Sequence, residues 1–407
     1  MTSLDTVVIV GAAHAGGRAA QAVRAAGFGG RVVLIGEESW PPYERPPLSK
    51  ALLVGDEGIE RVQLNHRTFY EEKGIELRLG ERVGAIDPAT RQIRTGGAAI
   101  AYDRLMLTTG ARVRRLDIPG ASLPGVCYLR TIEDSQFIRE ALKRQVPVVV
   151  IGGGFIGLEV AASARKRGSP VTVLEATERL MGRAVAPEVG RYFADLHRRH
   201  GTDIRLSTSL VRFEGAGRLE RVVLADGTAI PAGLAVIGIG IVPNVEFAAE
   251  AGLAVDNGIV VDDRGRTSDP AIFAAGDAAN QPNAFLGRRI RLESYQNAQD
   301  QGMAVARNMI GGDHAYNDRL WVWTDQYDVN LQMLGAPTGW DRLVFRGDVA
   351  SGSFSVFYLQ EGRIVGVNTV NNGREMRILE RLMMSGAVIP PDQLADPAVN
   401  LRKLTAA

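Results

Sequence analysis

A pattern of buried strand, glycine cluster and helix occurs twice in the chain, and it constrains the fold more than any other feature. The segments TVVIVGAAHAG (6–16) and PVVVIGGGFIG (147–157) both run from consecutive apolar, mostly β-branched residues into a glycine cluster. Strands without polar alternation are typical of parallel sheets that are covered on both faces. Small and apolar residues then recur at helical spacing, so each segment predicts the start of a βαβ unit.

An acidic residue follows the second predicted strand of each unit. The strands are predicted at 31–35 and 170–174, and Glu37 and Glu175 come shortly after them. A glycine turn that opens a helix binds the pyrophosphate of a dinucleotide, and an acid in this position accepts hydrogen bonds from its ribose. A carboxylate also repels a 2′-phosphate, so Glu175 favours NAD over NADP.

The glycines of the two turns differ in one position. The second turn has the full set, namely Gly152, Gly154 and Gly157, whereas the first has Gly11 and Gly16 with Ala13 in the middle position. The methyl group of Ala13 leaves less room between the backbone of this turn and a bound pyrophosphate. We predict a dinucleotide site at each turn because each also has its strand, its helix and its acid.

Composition excludes several classes of function. The formal net charge of the 407 residues is +1, and 45% of them are hydrophobic, which predicts a soluble globular protein with no nucleic-acid or membrane partner. The only cysteine, Cys127, excludes an intramolecular disulfide and favours a reducing, cytoplasmic setting. No metal site is predicted, since the histidines lack ligand spacing; His197 and His200 resemble a charged helix face. Bound cofactors must therefore supply the chemistry.

Two charged residues are candidates for a role beside a cofactor. The segment WPPYERPPLSK (40–50) is stiffened by its prolines and can aim Lys50, with Ser49 as the cap of a short helix. An exposed connector with a solvated lysine is the alternative. Glu159 falls in the apolar opening of the second predicted helix and needs a partner, for which Lys50 is a candidate. A position on the exposed surface of that helix is the alternative for Glu159.

Two further features have both a functional and a plain structural interpretation. TSDPAIFAAGDAA (267–279) predicts a strand that ends at Asp277, at the edge where α/β sheets bind ligands, although glycine and aspartate also end strands elsewhere. Trp321 and Trp323 have strand spacing and point the same way, so one of them could cover a flavin or pack in a core.

Taken together, eight segments make the chain similar to the FAD-containing, NADH-dependent ferredoxin reductases of oxygenase systems. These segments are VVIVGAAHAG, PPYERPPLSK, YLRTIED, VVVIGGGFIGLEVAA, GIGIVPN, TSDPAIFAAGD, ESYQNAQDQG and WVWTDQYD. The resemblance implies an α/β fold with two Rossmann-like, glutathione-reductase-like dinucleotide-binding domains and a C-terminal α+β domain. It implies a discontinuous FAD domain at 1–110 and 235–318, an NAD domain at 111–234, and a C-terminal domain at 319–407.

The resemblance also implies the residues of each site. Lys50 and Glu159 would form the catalytic pair near the flavin. FAD would contact Ala15, Glu37, Lys50, Val83, Arg130, Asp277, Tyr295 and Trp323. NADH would contact Gly154, Ile156, Glu159, Glu175, Arg183 and Gly240.

The implied function is electron transfer from NADH through FAD to a 2Fe-2S ferredoxin, which supplies a monooxygenase or a ring-hydroxylating dioxygenase. Docking would be transient and electrostatic, and we expect a monomer. The candidate basic surface consists of Arg288, Arg289, Arg291, Arg307, Arg374 and Arg377. The alternatives are a rubredoxin reductase or an NADH oxidase on the same scaffold, or a non-catalytic sensor that binds FAD and NADH.

Overall fold

The computed structural model describes residues 4–317, 320–336 and 338–405, and its contacts divide the chain into two compact units. The first unit consists of Met1–Arg45, Gly58–Arg112 and Ile241–Asp318, and the second of Pro46–Glu57, Val113–Gly240 and Arg319–Ala407.

A parallel five-stranded sheet forms the centre of the first unit. In spatial order its strands are Ile272–Ala274, Arg104–Leu107, Thr6–Val10, Arg31–Gly36 and Ile75–Leu79. Helices His14–Ala25 and Tyr295–Met309 pack on one face, where small and apolar residues such as Ala19 and Val305 meet Ile9. The central strand is buried over residues 7–10, as its unbroken apolar sequence predicts.

Smaller elements complete the first unit. The other face of the sheet shares a core with the antiparallel strands Val83–Asp87, Gln92–Thr95 and Ala99–Ala101 and with the helix Glu246–Glu250. The remaining helices are Ile59–Val62 and Arg67–Glu72, and a second small sheet contains Ile259–Val260, Ala279–Asn283 and Arg288–Ile290. Short strands at Ala111–Val113 and Ile241–Pro243 lie where the chain changes unit.

The second unit contains another parallel sheet. Its strands, in spatial order, are Asp203–Arg205, Val171–Leu174, Val148–Ile151, Leu234–Ile237 and Val126–Tyr128. The helices of this part of the unit are Ile132–Leu142, Phe155–Lys166 and Pro187–Arg199. A separate antiparallel sheet contains the strands Leu210–Glu214, Arg221–Leu224 and Ala229–Pro231.

The end of the chain folds into an antiparallel sheet within the second unit. Its spatial order is Trp321–Gln326, Val329–Gly335, Arg363–Val370, Ser353–Gln360 and Arg342–Asp348. Glu361 and Gly362 both have positive φ, 52° and 76°, and form the tight turn between strands Ser353–Gln360 and Arg363–Val370. The helices Met376–Ser385 and Pro391–Ala395 and the 3-10 turn Leu401–Thr405 follow.

Two segments group differently from the predicted boundaries. The segment Pro46–Glu57, with a 3-10 turn Pro46–Ser49 and a helix Ala51–Val54, belongs to the second unit because Leu53 packs in that unit's core. The strand Leu234–Ile237 pairs in the second unit's sheet, beyond the predicted boundary at residue 234. The three-domain boundaries stay a prediction. Among the residues described, no helix has both the length and the apolar character needed to cross a membrane.

Candidate dinucleotide-binding sites

The first glycine turn requires its glycines. Gly11 has φ +109°, and a Cβ there would lie 2.2 Å from the carbonyl oxygen of Thr108. A Cβ on Gly16 would lie 1.9 Å from the carbonyl oxygen of Gly11. Helix His14–Ala25 begins after Ala13, and no side chain of the described residues caps it. Its first N–H groups therefore point to a position suited to an anionic group.

Several predicted site residues of the first unit gather at one edge of its sheet. Gly11, Glu37 and Asp277 follow three parallel strands, whose carboxyl ends lie at the same edge. Asp277 lies in a 3-10 turn, where a Cβ on Gly276 would come within 3.0 Å of the Cβ of Ala15. The carboxylate of Glu37 is exposed and lies 3.6 Å from the guanidinium of Arg82. The structure thus brings these residues to the edge that binds ligands in α/β sheets.

Val83 and Tyr295 begin other elements of the first unit. Val83 is half-buried at the start of strand Val83–Asp87, where the pairing is irregular. Tyr295 is the first residue of helix Tyr295–Met309, which is capped by the side chain of Ser294. Its hydroxyl donates a hydrogen bond to Glu44 (2.6 Å), and burial, followed by Glu44, raises the pKa of Tyr295 to about 12.

His14 is a candidate site residue that the sequence analysis did not single out. It is 7% exposed, its ring centroid lies 4.3 Å from that of Tyr295, and neither ring nitrogen has a hydrogen-bond partner among the described residues. Burial, and then the charges of Arg18 and Arg45, lower its pKa to about 3. Orphaned buried nitrogens are rare in folded proteins, so this position fits a polar ligand. The position of His14 in the sequence, between Gly11 and Gly16, is the signal that could have identified it.

The second glycine turn repeats the geometry of the first. Gly152 has φ +107°, and a Cβ there would lie 2.3 Å from the carbonyl oxygen of Gly238. A Cβ on Gly157 would meet the carbonyl oxygen of Gly152 at 2.2 Å. Gly154 begins helix Phe155–Lys166, and a Cβ there would have no described atom within 4 Å. Ile156, in the first turn of this helix, is 46% exposed, so the turn faces open space beside an apolar side chain.

Glu175 is fixed beside the second turn. One carboxylate oxygen accepts the N–H of Gly153 (2.7 Å), and the other accepts the N–H and hydroxyl of Thr177 (2.8 and 2.7 Å). A carboxylate has about four acceptor positions, which leaves capacity for a ribose hydroxyl. Arg183 is exposed, and Gly240 has φ +103° with open space around it.

Arg130 and Trp323 lie in well-defined local structures of the second unit. Arg130 is half-buried and follows strand Val126–Tyr128; the side chain of Asp134 accepts its backbone N–H (2.8 Å). Trp323 is half-buried in strand Trp321–Gln326, and its ring centroid lies 5.3 Å from that of Trp321. The two indoles lie on one face of the strand, as their spacing predicts.

Lys50 and Glu159 form an ion pair. Glu159 is 3% exposed, and one of its oxygens lies 2.9 Å from Nζ of Lys50 and accepts the hydroxyl of Ser49 (2.5 Å). Its other oxygen accepts the hydroxyl of Thr324 (2.7 Å). Neither the exposed connector nor the surface glutamate is therefore present. The catalytic role of Lys50 and Glu159 stays a prediction.

Two interpretations of the sequence are wrong. Ser49 does not cap a helix, because its hydroxyl donates to Glu159 and Lys50 is the residue before helix Ala51–Val54. His197 is not part of a charged helix face, because it is completely buried and its Nε2 lies 2.9 Å from Oε1 of Gln326.

Two parallel sheets, each with a glycine turn that opens a helix at its carboxyl edge, define a protein with two dinucleotide-binding modules. Residues 5–302 match the family model for pyridine nucleotide-disulphide oxidoreductases, and residues 321–405 match the model for the reductase C-terminal domain. The chain belongs to the pyridine nucleotide-disulphide oxidoreductase family. The predicted fold class is confirmed.

Individual relatives extend over the whole chain. The ferredoxin--NAD(+) reductase component of the anthranilate 1,2-dioxygenase system of Burkholderia cepacia is 44% identical over 402 residues, which cover 98% of this chain and 99% of that protein. Rhodocoxin reductase of Rhodococcus erythropolis is 43% identical, with coverage of 98% and 93%. The solved structure of a covalent putidaredoxin reductase–putidaredoxin complex matches with a TM-score of 0.96 and 40% identity, covering 99% of this chain and 98% of that chain. The resemblance seen in the sequence is therefore confirmed.

Proposed function

We propose that the chain is an NADH-dependent, FAD-containing reductase that delivers electrons to a 2Fe-2S ferredoxin serving a monooxygenase or a ring-hydroxylating dioxygenase. The observation that carries the proposal is the pair of glycine turns at Gly11 and Gly152, one in each unit. Similarity over the whole chain to reductase components of oxygenase systems supports the ferredoxin as acceptor. The chain would act in the cytoplasm.

In the first unit, we assign FAD to the turn at Gly11. The glycines admit a pyrophosphate, and the N-terminus of helix His14–Ala25 offers about half a positive charge to it. Glu37 is placed for a ribose, and the buried ring of His14 and the half-buried carboxylate of Asp277 offer polar atoms for the rest of the cofactor. When bound, FAD supplies the exchange between a two-electron donor and a one-electron acceptor.

In the second unit, we assign NADH to the turn at Gly152. Gly154 leaves space for the pyrophosphate, and Ile156 offers an apolar surface to the cofactor. Glu175 accepts a ribose hydroxyl and disfavours the 2′-phosphate of NADPH by charge repulsion. The ion pair of Lys50 and Glu159 holds an ammonium and a carboxylate in fixed positions beside this helix, and it acts by orientation.

The single cysteine argues against disulfide chemistry in this chain. Cys127 is the only cysteine of the sequence, and burial raises the pKa of its thiol to about 12. Disulfide exchange requires a thiolate and a second sulfur. A diffusing one-electron protein acceptor is therefore the more suitable route for electrons than an internal disulfide.

The predicted basic surface for this acceptor needs revision. Arg289 donates hydrogen bonds to the carbonyls of Val261 and Asn280, and Arg291 pairs with Glu293 at 2.7 Å. These two guanidinium groups are used internally, so residues 288–291 do not present a continuous cationic patch.

The helix Met376–Ser385, with the turn before it, is the better docking surface. Arg377 and Arg381 are exposed on helix Met376–Ser385, four residues apart, and the exposed Arg374 lies in the 3-10 turn Gly373–Glu375 just before it. Arg377 and Arg381 line a recess of about 320 Å³ with Arg402. We propose that this arginine face, Arg374, Arg377 and Arg381, attracts an acidic ferredoxin.

Cofactor release and steady-state turnover test the function. The cofactor freed by denaturing the purified protein should be FAD, identified by chromatography and mass. The holoprotein should reduce an added 2Fe-2S ferredoxin with NADH much faster than with NADPH. Absence of flavin, or NADH oxidation that never reaches the ferredoxin, would contradict the proposal.

A further inference from the structure

A buried row of polar side chains connects Glu159 to the interior of the second unit. Thr324 and Gln326 lie on the face of strand Trp321–Gln326 opposite to the two tryptophans, and both are completely buried. Thr324 contacts Glu159, and Gln326 contacts His197, which is also completely buried. The hydroxyl of Tyr327 lies 3.4 Å from Nδ1 of His197.

The chemistry of these groups fixes the direction of every hydrogen bond in the row. An ionised carboxylate only accepts, so Thr324 must donate to Glu159 (2.7 Å). The remaining lone pairs of Thr324 then accept the amide N–H of Gln326 (3.3 Å). Because the amide nitrogen faces Thr324, the amide oxygen faces His197 and must accept the Nε2–H of the imidazole (2.9 Å).

His197 is consequently a single tautomer. With its proton on Nε2, its Nδ1 accepts the hydroxyl of Tyr327, which lies 3.3 Å from the hydroxyl of Thr202. Burial, and then the charge of His200, lower the pKa of His197 to about 4 despite the hydrogen bond to Gln326, so the ring is neutral at pH 7. All donors in the row therefore point towards Glu159.

We propose that Thr324, Gln326 and His197 form a donor relay that positions the carboxylate of Glu159 towards Lys50. In this role they are positioning residues, and none of them is catalytic. Without Thr324, one oxygen of Glu159 loses its donor and the carboxylate can rotate away from its partners on the other oxygen, Ser49 and Lys50. The effect on NADH turnover rests on the proposed function, whereas the tautomer of His197 does not.

Nitrogen NMR of the full chain labelled with ¹⁵N-histidine tests the relay directly. We expect wild-type His197, assigned with the His197→Gln variant, to carry its proton on Nε2. In Thr324→Val, the amide of Gln326 loses its acceptor and is free to turn, so the Nδ1–H tautomer should appear. Thr324→Ser should restore the Nε2–H form. The matched control is Thr369→Val, since Thr369 is equally buried and its hydroxyl donates to the sulfur of Met376 instead.

Pre-steady-state kinetics supply the functional arm. Thr324→Val should lower the rate constant of flavin reduction at saturating NADH about tenfold, the size expected for one hydrogen bond to a charged group, and change the Kd for NADH less than about twofold. Thr324→Ser should recover the rate and Thr369→Val should keep it.

Any of three results would overturn the relay: an Nδ1–H tautomer in the wild type, an unchanged tautomer in Thr324→Val, or an unchanged rate constant of flavin reduction in Thr324→Val. Wild-type protein whose flavin is not reduced by NADH would instead contradict the proposed function. The tautomer measurement would still decide the relay in that case.

Discussion

Nζ of Lys50 lies 2.9 Å from the carboxylate of Glu159, and the carboxylate is the buried partner: its side chain is 3% exposed, against 22% for Lys50. The two residues are far apart in the sequence. Their contact depends on the packing of the segment Pro46–Glu57 against helix Phe155–Lys166 within one unit. A charge that is buried to this degree needs its partner, which makes the pair open to test.

Removing the lysine should destabilise the protein. Lys50→Met leaves the charge of Glu159 buried with only hydroxyl donors, and we expect the free energy of unfolding to fall by about 3 kcal/mol. Lys143→Met is the matched control, because Lys143 pairs with Glu140 at 2.6 Å on the surface and should cost less than about 1 kcal/mol. Denaturant unfolding of both variants measures the difference, and equal losses would argue against a critical buried pair.

The choice of nicotinamide cofactor should depend on the charge of Glu175. Glu175→Gln keeps an acceptor for the N–H of Gly153 but removes the repulsion of a 2′-phosphate. We expect the preference for NADH over NADPH, taken as the ratio of kcat/KM values, to fall about tenfold. Glu178→Gln, an exposed change in the same loop, should keep the ratio. An unchanged ratio in Glu175→Gln would remove this residue from cofactor selection.

Two substitutions in the second glycine turn should have different effects, one on folding and the other on NADH binding. Gly154 has ordinary φ, −84°, and open space around it, so Gly154→Ala should leave the Tm nearly unchanged while its methyl group weakens NADH binding. Gly152→Ala should lower the Tm, because its Cβ would overlap the carbonyl of Gly238 at positive φ. Gly29→Ala, also in open space, should change neither property. Normal NADH affinity in Gly154→Ala would contradict the assigned pyrophosphate position.

Stability should fall in mild acid partly because of His197. The folded pKa, about 4, lies below the ordinary value of 6.5, so the unfolded chain binds the proton more readily. The contribution of His197 to the free energy of unfolding is therefore complete above pH 6.5. It is lost as the pH falls towards 4, by up to about 1.4 kcal/mol per pH unit. His197→Gln should flatten this part of the pH profile of unfolding, whereas His66→Gln, at an exposed position, should leave it as in the wild type.

Charge reversal should identify the docking surface. Arg377→Glu with Arg381→Glu should slow ferredoxin reduction at low ionic strength and reduce its salt dependence, with flavin reduction by NADH unchanged. The control pair is Arg191→Glu with Arg198→Glu, which changes two exposed arginines of another helix of the same unit. If both pairs behave alike, net charge rather than the arginine face steers the partner.

The sequence was sufficient for the local parts of the sites. The turns at Gly11 and Gly152 are recognisable because a glycine turn after a buried strand is a short-range signal. Thr324 could not be assigned to Glu159, since that contact joins distant segments. His197 was within reach: Val189 and Phe193 precede it at intervals of four residues, so it continues the buried face of helix Pro187–Arg199.

Anaerobic stopped-flow spectroscopy tests the central claim most directly. The purified protein is mixed with NADH, then separately with NADPH, and an oxidised 2Fe-2S ferredoxin is added to the reduced protein. The account predicts fast bleaching of the flavin by NADH, slow bleaching by NADPH, and return of the flavin colour as the ferredoxin is reduced. A protein without flavin, or a flavin that NADH does not bleach, would contradict it and favour a non-catalytic binding protein.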